Sequence, residues 1–385
     1  MKICLINTLY YPYQLGGAEK SVQIIAEGLK SIGYESFLVC TANKDYIEYV
    51  NGVKVYYVNT NNIYWSYNAK ERNKLLKPVW HFIDANNFFI RDKIDTIIKT
   101  ENPDIIHTNN LAGFSDIVWV IAKKHNKKIV HTLRDYYQLC PKSTMFKKNQ
   151  NCIAQCISCK ILSIPKKKNS GFVDAVVGVS DFILKKHLNF GYFNNAKIKT
   201  NIFNPIYLPK KISKTKSKNI RFGLVGIISS SKGTAYICEK FIRIKNKHLE
   251  LNVYGRGESI AYKKLLEKRF NKKNVTFHGY KKNSEIYNNI DILIVPSLWN
   301  EPFGRIVPEA NSYGIPVLAS KKGGLPELII NGKNGFIFDP DRDCDFEEKL
   351  KLIIGMYKDY IFEFELDNFN ARVITKKYLN IYNKV

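Results

Sequence analysis

Apolar and polar positions alternate along this chain in blocks. Runs of strand length, at Lys2 to Asn7, Glu35 to Cys40, Val53 to Val58, Ile105 to His107 and Lys128 to Thr132, are interspersed with amphipathic stretches of helix length such as Ala18 to Gly33. That order predicts parallel strands joined by crossover helices. Near Asn204-Pro205 the pattern breaks into Leu208 to Asn219, a polar, lysine-rich stretch without core-facing periodicity that reads as an interdomain linker. It then restarts with Ile220 to Gly226, Leu249 to Gly255, Val275 to Gly279, Asp291 to Val295 and Pro316 to Ser320. These strands are near-continuous apolar runs, so helices should cover both faces of each sheet. No period of a solenoid recurs.

The expected fold class is therefore α/β, with two facing Rossmann-like doubly wound domains and an interdomain cleft. The boundaries read as 1–205 for an N-terminal domain, 206–219 for the linker, 220–365 for a C-terminal domain and 366–385 for a helical segment packing back on the N-terminal domain. A length of 385 residues suits two such domains and is too long for one core. Ligands of such sheets bind outside the carboxyl ends of the strands, where loops carry glycines. Gly16-Gly17, Gly226 and Gly323-Gly324 fall in those places.

Composition narrows the partners. The chain carries 60 basic and 34 acidic side chains, a formal charge of +26. Such an excess attracts nucleic acid, a membrane surface or a phosphorylated ligand. The lysines are scattered among Asn and Ile, and no recognition-helix, zinc-finger or ribonucleoprotein signature is present, so nucleic acid is not an expected partner. No apolar run reaches the roughly 18 residues of a membrane-spanning helix. The start of the chain reads as a first strand and not as a signal peptide, which with eight cysteines implies reduced thiols and a cytoplasmic setting. Cys4, Cys40 and Cys238 lie in apolar stretches and read as core residues.

The most informative segment is Pro296 to Pro316. Pro302 and Gly304 end extended structure just before a helix containing Glu309, which sets the amides near Phe303 to Ile306 at a helix start, suited to a diphosphate. Glu301 and Glu309, eight positions apart, bracket that anion site. This pair resembles the paired-glutamate signature of retaining GT-B glycosyltransferases of family 4. Gly323-Gly-Leu-Pro-Glu327 and Asn331-Gly-Lys-Asn-Gly-Phe336 resemble the segments that follow it. Gly226-Ile-Ile-Ser-Ser-Ser-Lys232-Gly233 is similar to the family's diphosphate loop, and Gly16-Gly-Ala-Glu19 to its amino-terminal glycine loop.

The resemblance implies a UDP- or GDP-sugar as donor substrate, bound by Gly16, Gly17, Gly226, Lys232, Glu301, Phe303, Gly304, Arg305 and Glu309. Glu301 would contact the transferred sugar, Glu309 the ribose diol, and Lys232 the departing diphosphate. Many relatives carry an arginine after the glycine matched by Gly226; here Ile227 stands there, so one phosphate contact is supplied elsewhere, as by Arg305, or is missing. In His131-Thr-Leu-Arg134-Asp135 the histidine usually found before the aspartate is Arg134, which cannot accept a proton but can clamp a phosphate. Lys232, Glu301, Arg134 and Asp135 are the expected catalytic set, with Asp135 orienting the acceptor or sugar; for His107 and His131 a structural role outweighs a catalytic one. No cofactor is required for the implied same-face attack.

Cys140, Cys152, Cys156 and Cys159 have spacings of 11, 3 and 2 residues and suit a tetrahedral structural zinc; reduced thiols and disulfides are the alternatives. The acidic run Asp339 to Asp345 reads as a turn and helix caps and not as a metal site. The acceptor implied is a glycan or lipid-linked glycan, such as a capsule or O-antigen precursor, with a soluble sugar or glucan as the alternative. An anionic membrane is the expected surface partner: Lys77 to Phe89 is rich in aromatics near Lys74, Arg91 and Lys93, and Lys166 to Lys168 add a basic run. That places the protein at the inner face of a membrane, as a peripheral protein.

Overall fold

The computed structural model describes residues 1–67, 74–209, 212, 214, 217–272, 274–359 and 362–385. Of the linker, residues 210, 211, 213, 215 and 216 lie outside the described residues, as does the side chain of Lys74. The chain divides into two compact units, one of Met1–Met145, Cys152–Ile206 and Asn368–Val385, the other of Phe146–Asn151 and Tyr207–Asp367. Phe146–Asn151, which the sequence leaves inside residues 1–205, thus belongs to the second unit.

The first unit is built on an eight-stranded sheet in the spatial order Ile198–Asn201, Ala175–Gly178, Lys128–Leu133, Ile105–Thr108, Lys2–Ile6, Glu35–Ala42, Val53–Asn59 and Tyr46–Val50. All neighbours are parallel except the last pair. Its central strands are almost wholly buried because helices cover the sheet. The helix Ala18–Ser31 turns Val22, Ile25, Ala26 and Leu29 inward. It packs beside the last helix, Ala371–Tyr382, which is capped by the Asn370 side chain and buries Ile374, Tyr378 and Tyr382 in the same core.

The second unit has a six-stranded parallel sheet in the order Val275–Gly279, Leu249–Tyr254, Ile220–Val225, Ile292–Val295, Val317–Ser320 and Gly335–Phe338. Its core gathers Phe222, Phe241, Phe338 and Phe346 around the central strands. A short hairpin, Phe146–Lys147 paired with Gln150–Asn151, belongs to the same unit. Among the described residues no helix is long and apolar enough to cross a membrane.

Candidate active site

In the second sheet Ile220–Val225 and Ile292–Val295 are central neighbours, and later strands are added outward from them in opposite directions. The loops at their carboxyl ends therefore diverge and leave the crevice in which doubly wound sheets bind ligands. Both motif loops of the sequence lie here. The first runs from Gly226 to Gly233. Gly233 has φ +69°, and a Cβ there would lie 1.9 Å from the Pro296 carbonyl oxygen, so only glycine lets the two loops close on each other.

The second loop runs from Pro296 to Arg305. Its Leu298 and Trp299 amides both donate to the Ser231 carbonyl, at 2.9 and 3.0 Å. Lys232 Nζ forms an ion pair with the Glu301 carboxylate, which is almost wholly buried, and lies 4.8 Å from the centre of the Trp299 ring. The Glu301 backbone is braced from behind: its carbonyl accepts from the Gly324 amide at 2.7 Å. A Cβ on Gly323, at φ +63°, would sit 2.2 Å from that same oxygen. The Gly323-Gly324 motif is thus a support for Glu301.

Glu309 lies in the helix Ile306–Asn311 that follows. Its carboxylate accepts from Arg305 Nε at 2.7 Å, Asn283 Nδ2 at 3.2 Å and the Tyr287 hydroxyl at 3.3 Å. Phe303 is buried and Gly304 stands at positive φ between the two glutamates. The unit therefore brings together Lys232 with Glu301 and Arg305 with Glu309, two cation–carboxylate pairs flanking the start of one helix.

Gly16, Gly17, Arg134 and Asp135 belong to the first unit, at the carboxyl ends of its central strands. Gly17 opens the helix Ala18–Ser31, and the Gly16 amide donates to Glu19 Oε2 at 3.2 Å. Arg134 is buried, with Nε donating to Asn109 Oδ1 at 2.8 Å and Nη1 to Asn204 Oδ1. Asp135 Oδ1 accepts from the Tyr137 amide at 2.8 Å, and burial pushes its carboxyl up to about 6. His107 is buried between the Tyr382 and Thr132 hydroxyls at 2.7 and 2.8 Å. His131 meets the Thr108 hydroxyl at 2.9 Å and stacks on Phe193. Burial lowers His131 to about 3 and His107 well below the usual imidazole range, so both are neutral struts.

Two expectations need correction. Among the described residues no three His, Cys, Asp or Glu side chains are arranged to hold a metal, so the zinc suggested by Cys140, Cys152, Cys156 and Cys159 is not borne out. Cys140 is buried while Cys156 is exposed and turned to the Ser158 hydroxyl at 3.3 Å. The Cys159 thiol hydrogen-bonds to its neighbours Cys156 and Cys140, and burial pushes it up. Among the described residues no disulfide is present. Second, Lys166 is not part of an exposed basic run. It is buried with Nζ 3.2 Å from both the Tyr137 carbonyl oxygen and the centre of the Tyr137 ring, and it is attracted by the buried Asp84 and Asp116 carboxyls and the half-buried Asp135. Three such carboxyls in one core need a cation.

Sequence reasoning missed Ser231, Asn283, Tyr287 and Asn151 as parts of the site's scaffold. Trp299 and Ser231 were within reach, standing in the two motif loops; Asn283 and Tyr287 lie on a short helix and Asn151 on a hairpin, outside the quoted motifs.

Two α/β units with this pair of loops define a glycosyltransferase architecture of the GT-B type. Residues 15–200 match the family described as Glycosyltransferase Family 4, and residues 209–360 that described as Glycosyl transferases group 1. A 42.6 kDa protein in the cps region of Klebsiella pneumoniae is 35% identical over 99% of this chain and 100% of its own. The capsular polysaccharide biosynthesis glycosyltransferase CapM of Staphylococcus aureus is 27% identical over 44% of this chain and 45% of its own. Among solved structures, Anabaena HepE in complex with UDP and glucose superposes with a TM-score of 0.71 at 17% identity, over 100% of both chains. The chain belongs to glycosyltransferase family 4 and has the GT-B fold. It is a sugar transferase.

Proposed function

We propose that this chain transfers a sugar from a UDP- or GDP-sugar to a hydroxyl of a glycan or lipid-linked glycan precursor of a surface polysaccharide, with the donor's anomeric configuration retained. The observation that carries this reading is the contact of Lys232 with Glu301 beneath Trp299, at the switch point of the second sheet. The two side chains neutralise one another. A donor diphosphate, with more charge than one carboxylate, competes for the lysine, and the sugar hydroxyls take the glutamate. Lys232, the amides at the helix start and Arg305 then stabilise the charge that develops on the leaving diphosphate. Glu309, fixed by Asn283 and Tyr287, takes the ribose diol. Arg134 clamps a phosphate and Asp135 orients the acceptor or sugar. The leaving phosphate accepts the acceptor's proton, so no separate base and no cofactor is required. The UDP and glucose named for the HepE structure, and the capsular role named for CapM, support the substrate classes.

Glu301→Ala and Lys232→Ala should each lower turnover by roughly 100-fold or more while circular dichroism stays that of the parent. The product's new bond, read by proton NMR, should have the donor's anomeric configuration. Rates near wild type in folded variants, or an inverted product, would overturn the reading.

A separate observation supports an anionic membrane as surface partner. The helices Lys77–Ala85 and Ile157–Leu162 pack side by side. They and the segments next to them expose Val79, Phe82, Phe89, Ile157, Ile161 and Ile164. No Asp or Glu occurs from Tyr136 to Val173, whereas Lys160, Lys167 and Lys168 are exposed there. An apolar face with exposed cations beside it suits a bilayer with anionic headgroups, which supports a peripheral position at the cytoplasmic face of a membrane.

A further inference from the structure

Trp299 and Glu301 project from a loop that would be loose if only its ends were tied. One edge of that loop is held by the Ser231 carbonyl, which takes the Leu298 and Trp299 amides. The other edge is held by a residue 147 positions upstream: Asn151 Nδ2 donates to the Leu298 carbonyl at 2.7 Å, and Asn151 Oδ1 accepts from the Asn300 amide at 2.8 Å. One planar amide thus spans Trp299, satisfying the carbonyl before it and the N–H after it, as a neighbouring strand would. Glu301 is the next residue along.

Asn151 ends the hairpin Phe146–Lys147/Gln150–Asn151, in which Phe146 pairs with Asn151. The turn residues Lys148 and Asn149 have φ of +51° and +59°, the tight two-residue turn that matches strand twist. Below the hairpin the chain is closed by the Cys152 amide donating to the Met145 carbonyl at 2.7 Å. The segment thus holds its own shape and carries the Asn151 side chain to the loop. Its other paired positions, Lys147 and Gln150, are exposed.

We infer that Asn151 is a positioning residue for sugar transfer: through the backbone of residues 298–300 it sets the direction in which Trp299 and Glu301 face Lys232. This rests on the roles proposed for Glu301 and Lys232 above. It predicts a division of labour, since the Glu309 end of the site has separate supports in Asn283, Tyr287 and Arg305. Loss of the Asn151 amide should therefore slow turnover and spare nucleotide binding.

The test compares the full-length wild type with Asn151→Ala, Asn151→Asp, Gln150→Ala and Glu301→Ala. Asn151→Asp keeps the acceptor for Asn300 but sets an oxygen against the Leu298 carbonyl. The first readout needs no donor: the indole 15N–1H resonance of Trp299, assigned by its loss in Trp299→Phe, should move in both Asn151 variants and stay in place in Gln150→Ala. The second is kcat and KM for hydrolysis of UDP-glucose and GDP-mannose, with UDP and GDP affinity by calorimetry. Both Asn151 variants should lose kcat by on the order of 10- to 100-fold, the scale of a misaligned reacting group, with nucleotide affinity within about threefold of wild type. Gln150→Ala should match wild type. A Trp299 resonance unmoved by Asn151→Asp, or wild-type kcat in Asn151 variants while Glu301→Ala is inactive, would overturn the inference and leave the site reading intact. Wild-type kcat in Glu301→Ala would overturn the site reading itself, and this inference with it.

Discussion

His187 stands in a ring of aromatics, stacked near Tyr136 with Tyr192 edge-on and Phe193 tilted beside it. Its Nδ1 donates to the Ile183 carbonyl at 2.9 Å, and its buried Nε2 has no hydrogen-bond partner among the described residues. Burial lowers the imidazole to about 4. Below pH 6.5 the unfolded chain therefore binds a proton at this histidine that the folded chain refuses until about pH 4, so stability falls as pH falls through that window. Between pH 7 and 5 this residue alone should remove about 2 kcal/mol, from 1.4 kcal/mol for each pH unit below the unfolded value. His187→Phe, which suits the aromatic surroundings, should show a pH slope of urea stability shallower by that amount. Parallel slopes would contradict the assignment. At this scale the sequence was most informative where chemistry repeats in motifs. Lys232 and Glu301 lie 69 residues apart, yet each stands in its own loop signature and the fold brings them into contact. Asn151 and Lys166 were opaque: a side chain that braces a distant backbone, or a lysine drawn into a core by three carboxyls, looks in sequence like any other polar residue on a lysine-rich loop.

The elements legible in the sequence are the buried parallel strands, since a strand covered on both faces must be apolar throughout. Several of those not assigned break that rule. Tyr46–Val50 is an antiparallel edge with exposed residues, and Ile198–Asn201 is an edge with alternating exposure. Ala175–Gly178 and Gly335–Phe338 obey the rule, and went unassigned although strands equally short, such as Ile105–Thr108 and Ile292–Val295, were read. The hairpin at Phe146–Asn151 has two residues per strand and no apolar run at all. The helix Lys77–Ala85 shows what an element can do beyond packing: Trp80 is buried, with Nε1 donating to the Tyr64 carbonyl at 3.0 Å, whereas Phe82 is 74% exposed. An exposed phenylalanine beside exposed isoleucines costs solubility unless something covers it. Phe82→Glu with Ile161→Glu should abolish co-sedimentation with vesicles containing anionic lipid at low salt, and leave hydrolysis of a soluble nucleotide sugar unchanged. Equal sedimentation of wild type and double variant would rule out this face as the membrane contact.

Across the whole chain, the charge of +26 is distributed among separable tasks. Lys232 and Arg305 are each paired to a glutamate in the second unit, Lys166 is an internal counter-ion of the first, and Lys160, Lys167 and Lys168 lie by an apolar surface. Only the first of these tasks is common to a transferase reading, and on it the account depends most. Calorimetric titration of UDP and of GDP into the wild type and Lys232→Ala measures it directly. The account predicts saturable binding of one nucleotide by the wild type and an affinity at least about tenfold lower in Lys232→Ala, the loss of one charge-assisted phosphate contact. Binding of neither nucleotide, or equal affinity in the two proteins, would contradict it.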